Sequence, residues 1–230
     1  MSNSSLEGLG QNARRAITQG IFVIYGVIVV FPMVWLGYTA FKSTSELFAS
    51  AWALPVEWKL DNFVEAWNEA QIGDFFWNSI FVTISTLLLQ LFLGAMASYS
   101  LAKYRFPGQN LLYYGFLAGL MFPIFLGLVP LFFLVKHLGL LDTHLGIILV
   151  YAAFGIPFTV FVLTAFFRTI PTTIMEAGVM DGCGHFSLFL RVMLPLAKPG
   201  LTTVGIFTFI SIWNEYILAL VLLSSSHLRT

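Results

Sequence analysis

The chain has 230 residues, 58% of them apolar and only 10% charged, with a mean hydropathy of +0.87. A soluble domain carries about 25% charged residues, so most of this surface faces something other than water. Lys and Arg (11) balance Asp and Glu (11) and are scattered, which argues against nucleic acid as a partner; the lone Cys183 and four dispersed histidines leave no disulfide and no metal site to expect.

Five apolar runs are each long enough to cross a bilayer, which takes about 20 residues. They cover 17–41, 79–101, 111–135, 145–167 and 201–223. The first follows Arg14 and Arg15, as a signal peptide would. It is much longer than a signal h-region of roughly 7–15 residues, and Tyr38-Thr-Ala-Phe41 is a poor cleavage site, so it reads as a retained helix. Residues 1–16 form an N-terminal tail before it.

Loop charges set the orientation. Arg14, Arg15, Lys103, Arg105, Arg168, Arg191 and Lys198 fall in the tail and the alternate loops on its side. Lys42, Lys59, Lys136 and Arg229 fall opposite. Seven against four places the N-terminus and the loop 168–200 in the cytoplasm of a multi-pass protein of the cell membrane. The opposite loop, 42–72, is acidic and interleaved with Trp52, Trp58 and Trp67. Tryptophan favours the membrane interface, so this loop is expected to lie along the outer surface or to meet an external partner.

The spans contain no nucleotide loop, no nucleophile elbow and no His-Glu-x-x-His, so catalysis by this chain alone is not expected. Glu215 is the one clear ionisable group at depth. Ion-coupled carriers keep several such groups in the bundle, so any energy for transport enters elsewhere. Pro32, Pro123, Pro130 and Pro157 interrupt the spans and predict kinks that pack helices or shape a pathway. Gly115-x-x-x-Gly119 permits close helix contact.

The loop 168–200 is the most informative segment. Pro171 stops the fourth span. Thr173-x-x-Glu176 reads as a capping box, opening a short helix over 174–180. On it Ile174, Ala177, Gly178 and Asp181 form a small, shallow face that a partner's groove can approach. Gly182 ends this helix. A second helix over 185–193 follows, with Phe186, Phe189, Leu190 and Met193 on one face. Leu194-Pro195 ends it, and Pro199-Gly200 turns the chain into the fifth span. An ordinary interfacial loop is the plain alternative to this helix–turn–helix knuckle.

These residues resemble the "EAA" coupling loop of binding-protein-dependent ABC importer permeases: Glu-Ala-Ala, three residues, Gly, nine residues, Ile-x-Leu-Pro. Here Glu176-Ala177-Gly178 is followed by Gly182 and by Val192-Met193-Leu194-Pro195, with Gly178 and Val192 as mild departures; Asp181 before Gly182 is also typical. The stretch 97–108, Leu138–Thr143 and Trp213-Asn214-Glu215 are similar to the carbohydrate branch, and the second permease of the maltose-type pair is the nearest likeness. The resemblance implies an all-α, type I permease bundle over 73–230, with five spans present and a sixth expected beyond Thr230. It implies partners: a second permease, an ATP-binding cassette dimer carrying ATP and Mg, an external solute-binding protein and the lipid bilayer. It implies import of a sugar or oligosaccharide, with an amino acid, peptide or polyamine as alternative cargo and an ATPase-independent carrier or a scaffold as more distant ones. Glu176, Ala177, Gly178, Asp181, Gly182, Leu194 and Pro195 then form the ATPase-coupling loop. Asn214 and Glu215 are candidates for lining the pathway, where they would hydrogen-bond sugar hydroxyls; the plainer role is to satisfy backbone groups.

Overall fold

The computed structural model describes residues 3–69 and 71–230, with side chains from Arg14 onward, and the described chain divides into two compact units that meet at residues 72 and 73. Among the described residues the regular structure is helical.

The first unit holds α1 (Asn3–Thr39), α2 (Thr44–Ala49) and α3 (Asp61–Asn68). α1 takes in most of the stretch expected as a tail, and its part from Arg14 to Thr39 is apolar enough to span. The acidic, tryptophan-rich loop contains α2 and α3. It folds back on the end of α1: the Trp35 indole donates to Ala51 O (2.9 Å), Lys42 Nζ to Ser50 O (2.8 Å), and the Asn62 amide to Ala40 O (2.9 Å) and Lys42 O (2.8 Å). Each bond satisfies a carbonyl that helix termination or loop geometry leaves open. Trp52 stacks on Phe31, with ring centroids 5.9 Å apart.

The second unit is built on α4 (Ile72–Lys103), α7 (His144–Thr169) and α11 (Lys198–Trp213), with α5 (Gln109–Leu120) packed along α7. α4 and α7 are apolar nearly all round, the pattern of helices that lie in lipid or are wholly buried. Asp74 in the first turn of α4 and Lys103 in its last match the helix dipole. α7 opens on Thr143, whose hydroxyl accepts from Gly146 N (3.0 Å), and closes before Pro171.

Two of the five expected spans are not straight. The run 111–135 breaks at Met121–Pro123: α5 and the helical stretch Ile124–His137, which ends in α6 (Leu128–His137), meet at 92°. Pro123 supplies the reason, since it lacks a donor and disfavours helix in the residue before it. Pro130, by contrast, sits in the first turn of α6, where a missing N–H breaks nothing. The run 201–223 also breaks, after Trp213, and resumes as α12 (Ile217–Leu222). Three helices are long and apolar enough to span, and counting Gln109–Leu120 with Ile124–His137, and His185–Leu196 with Lys198–Trp213, as one bent span each gives up to five among the described residues. Gly119 lies against the ring of Pro157, leaving a Cβ only 3.2 Å from it, so α5 approaches α7 closely where the latter carries its proline.

The core has two apolar clusters at different heights along α4 and α7. One gathers Val82, Ile147, Tyr151, Leu218 and Leu222; the other gathers Tyr99, Leu163, Phe167, Phe189 and Met193. Between them along α4 and α7 lie buried polar side chains, including Gln90 and Thr159, joined by Thr208 of α11.

Candidate functional site

Two places in the second unit have the shape of a working site. The first is the knuckle between α7 and α11, made of α8 (Thr172–Met180), α9 (His185–Leu188), a π-helical turn (Phe189–Met193) and α10 (Leu194–Leu196). α8 starts two residues earlier than a Thr173–Glu176 capping box would allow. Pro171 is its N-cap and no side chain caps it, so Thr173 lies inside the first turn and Glu176 is free to point outward, exposed. The end of α8 is a Schellman motif. Gly182 N donates to Val179 O (3.0 Å) and Cys183 N to Gly178 O (2.9 Å), with Gly182 at φ 81°. Only glycine adopts that conformation without strain.

Gly178 does not belong to an outward face. It is buried, and a Cβ there would lie 2.5 Å from Leu188 Cδ1. The absent side chain lets α8 and α9 close on each other. The face actually presented to solvent carries Glu176, Ala177, Val179, Met180, Asp181 and, from α9, Phe186; Met180 is 86% exposed. Leu194 is half-buried and Pro195 exposed, but they do not end the second helix. The chain stays helical through a π turn to Leu196 and bends by 75° at Ala197, so the turn precedes Pro199-Gly200, which open α11. Pro195 sits where a missing N–H disrupts little, and the π turn rotates Phe189 and Met193 into the core, 3% and 0% exposed.

The second place is a cavity of about 350 Å³ between α4, α7, α11 and α12. Phe154, Phe158 and Phe207 supply apolar walls, and Gln90, Tyr151, Ser211 and Glu215 supply polar groups. Gln90, 1% exposed, anchors it: its Nε2 donates to Thr159 Oγ1 and to Thr208 Oγ1, both at 2.9 Å. One amide thus ties three helices. It fits only because residue 155 is glycine, where a Cβ would fall 2.1 Å from Gln90 Oε1.

Glu215 lines the cavity and also caps α12. Its carboxylate accepts from Leu218 N (2.9 Å), Ala219 N (3.2 Å) and the Tyr151 hydroxyl (2.6 Å). The helix break at Asn214–Tyr216 is what makes this possible, because it frees amides for a carboxylate at depth. Asn214 is not among the residues lining that cavity; its amide donates to Ile210 O (2.8 Å) at the end of α11. Sequence reasoning passed over Gln90, Thr159, Thr208 and Tyr151. A lone glutamine inside the run 79–101 was the available signal, since an amide in lipid must find partners.

Residues 90–230 match the family described as binding-protein-dependent transport system inner membrane component. A diacetylchitobiose uptake system permease protein of Streptomyces coelicolor is 46% identical over 207 residues, covering 90% of this chain and 68% of that one. The trehalose transport system permease protein of Mycobacterium tuberculosis is 35% identical over 205 residues, covering 89% and 73%. Among solved structures, a bacterial ABC transporter involved in the import of the acidic polysaccharide alginate superposes with a TM-score of 0.85 at 25% identity, over 95% of this chain and 77% of that one. With its apolar helices, its exposed knuckle and these relatives, the chain belongs to the binding-protein-dependent inner-membrane components: it is an ABC importer permease, a translocation subunit.

Proposed function

We propose that this permease carries a sugar or oligosaccharide inward, received from an external solute-binding protein, with a second permease subunit forming the other half of the pathway. The carrying observation is that relatives up to 46% identical over nine-tenths of the chain are saccharide-uptake permeases by name. The cavity supports it: phenylalanine rings suit the C–H faces of a sugar ring, and Gln90, Ser211 and Glu215 suit its hydroxyls.

ATP and Mg act on separate ATP-binding subunits, which dock on the knuckle from the cytoplasm. The charge bias of the loops supports this orientation, with Lys103, Arg168, Arg191 and Lys198 gathered at the knuckle end of the second unit. Glu176, Val179 and Met180 make the contact, Ala177 lets the partner approach, and Gly178, Asp181 and Gly182 set the backbone shape. Leu194 and Pro195 join the knuckle to the bend before α11. Closure of the ATPase dimer on ATP displaces the knuckles and turns the cavity outward; hydrolysis resets it.

The test is ATP hydrolysis by the full assembly in lipid, with its binding protein, across a saccharide panel. Stimulation by one saccharide, lost in Glu176→Lys/Gly182→Asp, is expected. An assembled complex that no saccharide stimulates would refute the cargo, and unchanged co-purification of the ATPase with the double variant would refute the docking site.

A further inference from the structure

The knuckle is joined in sequence to α7 and α11, but side chains clasp it to a third helix. Tyr99, near the end of α4 and 4% exposed, packs its ring against Phe189 of the π turn (5.4 Å) and Phe167 of α7 (5.8 Å). Its hydroxyl meets that of Tyr104 at 3.0 Å, and the Tyr104 hydroxyl meets His185 Nδ1, at the start of α9, at 3.0 Å. The Tyr104 and His185 rings also stand edge-on, 5.6 Å apart. Lys103 Nζ donates to Ile170 O, closing the same end of α4 onto the base of the knuckle.

α4 is continuous from this clasp to Gln90. The nine-residue step from Gln90 to Tyr99 amounts to about 14 Å of uninterrupted helix. At its far end Gln90 is bonded to α7 and α11 and borders the cavity. A displacement of the knuckle therefore has a rigid element to act on, whose other end is the polar junction of three helices. Besides the clasp, α4 meets the knuckle through the Phe92 and Phe189 rings, 6.4 Å apart, and the knuckle's own flanking helices include one separated from it by the 75° bend at Ala197.

Resting on the functional reading above, we infer that Tyr104 and His185 are positioning residues that carry the knuckle's movement into α4 and so couple ATP to the cavity. Neither faces the cavity, and neither belongs to the exposed face of α8. In this arrangement the Tyr104 hydroxyl and the His185 ring nitrogen act as one unit, so removing either partner removes the same link.

The experiment uses the complete transporter in lipid and reads cargo transported per ATP hydrolysed. Tyr104→Phe and His185→Leu should each lower that ratio about five- to ten-fold, at the lower end of the usual coupling between sites. The double variant should be no worse than the poorer single one. His185→Asn, which keeps an acceptor near the Nδ1 position, should stay within about two-fold of the unaltered chain. All of them should co-purify with the ATPase subunit. Ratios within two-fold for every variant, an additive double variant, or loss of the ATPase would overturn the inference, the last by making the pair a structural prop. A second measurement needs no cargo: in a Cys183→Ser background, spin labels at the exposed positions Leu88 of α4 and Val129 of α6 should change separation when ATP is trapped, and the change should vanish in His185→Leu. An equal change in that variant, or none in the unaltered chain, would overturn the role of α4. Failure of every saccharide to be transported while this change persists would instead strike only the cargo.

Discussion

The knuckle and the cavity sit at two heights of one bundle and are held by opposite means. The knuckle keeps its shape through backbone: a glycine at φ 81°, two closing carbonyl–amide bonds and a glycine that lets two short helices touch. Its outward side chains, Val179 and Met180 among them, are exposed. The cavity keeps its shape through side chains, with one glutamine bonded to two threonines and one glutamate shared by a tyrosine and two amides. On the proposed reading, the surface that a partner grips is fixed from beneath. On the same reading, the space that admits solute has its fixed groups in the wall itself, where each is also a contact. Substitutions should therefore be more damaging at the cavity, and their effects less separable from binding.

The sharpest way to break this contrast is Gly155→Val. Any Cβ there overlaps the Gln90 amide at 2.1–2.5 Å. The glutamine must leave, and two hydrogen bonds at depth go with it, each worth about 0.6 kcal/mol or more in a membrane protein. Overpacking adds about 1–3 kcal/mol, for a total of about 2–4 kcal/mol. Thermal unfolding in detergent or lipid should fall accordingly, and Gly155→Ala should show most of the same loss. If valine is tolerated at 155, the amide junction is not what holds the three helices.

At the knuckle, Gly182→Val forces a β-branched residue to positive φ, at about 2 kcal/mol. The damage should be local: the bundle unfolds near its usual temperature, while ATPase co-purification drops. Gly178→Ala is milder. It gains up to about 1 kcal/mol of helix propensity but drives a methyl into Leu188, so a net loss of about 1 kcal/mol is expected, measured as a small fall in melting temperature. Two losses of equal size and equal reach would erase the distinction between a backbone-fixed knuckle and a side-chain-fixed cavity.

These differences also explain what could be read from the chain alone. The knuckle was legible because it is local: Gly182 and its spacing from Glu176 lie within a few residues, and turn chemistry works at that range. Its inner workings were not. Gly178 looks like an outward gap until Leu188 is seen against it, and the π turn has no residue signature. The bends in the third and fifth apolar runs were only half visible. Pro123 marks one break, but nothing near Trp213 announces the other, which Glu215 stabilises from within. The cavity's wall was invisible because Gln90, Thr159 and Thr208 are 69 and 118 positions apart in their pairings, and periodicity carries no information about such partners.

The smallest expected effect lies at the end of the bundle away from the knuckle, where a third arrangement tests whether side-chain locks can also be mild. Asp142, itself at φ 57°, binds the segment after α12: its carboxylate accepts from Ser224 N (2.8 Å), Ser225 N (2.9 Å) and the Ser225 hydroxyl. The Ser225 hydroxyl first, then the Ser225 and Ser224 amides and the nearby His227, hold this carboxyl below the ordinary aspartate value of 3.8. A carboxyl lowered on folding stabilises the folded form above its unfolded value, and that contribution disappears as pH falls through the folded value. The lock is therefore complete from about pH 5 upward and fails only below about pH 4. Amide hydrogen exchange at Ser224 and Ser225, corrected for intrinsic rate, should show protection that is flat across neutral pH and falls in acid. In Asp142→Asn, which keeps one acceptor oxygen and loses the charge, protection should already be reduced at pH 7 and should no longer change between pH 5 and pH 3. Asp142 is half-buried and belongs to neither apolar cluster, so the rest of the bundle should not register the change. A drop in global melting temperature comparable to that of Gly155→Val would show that this end is part of the core, and that the contrast drawn between fixed backbone and fixed side chains is one of position rather than of kind.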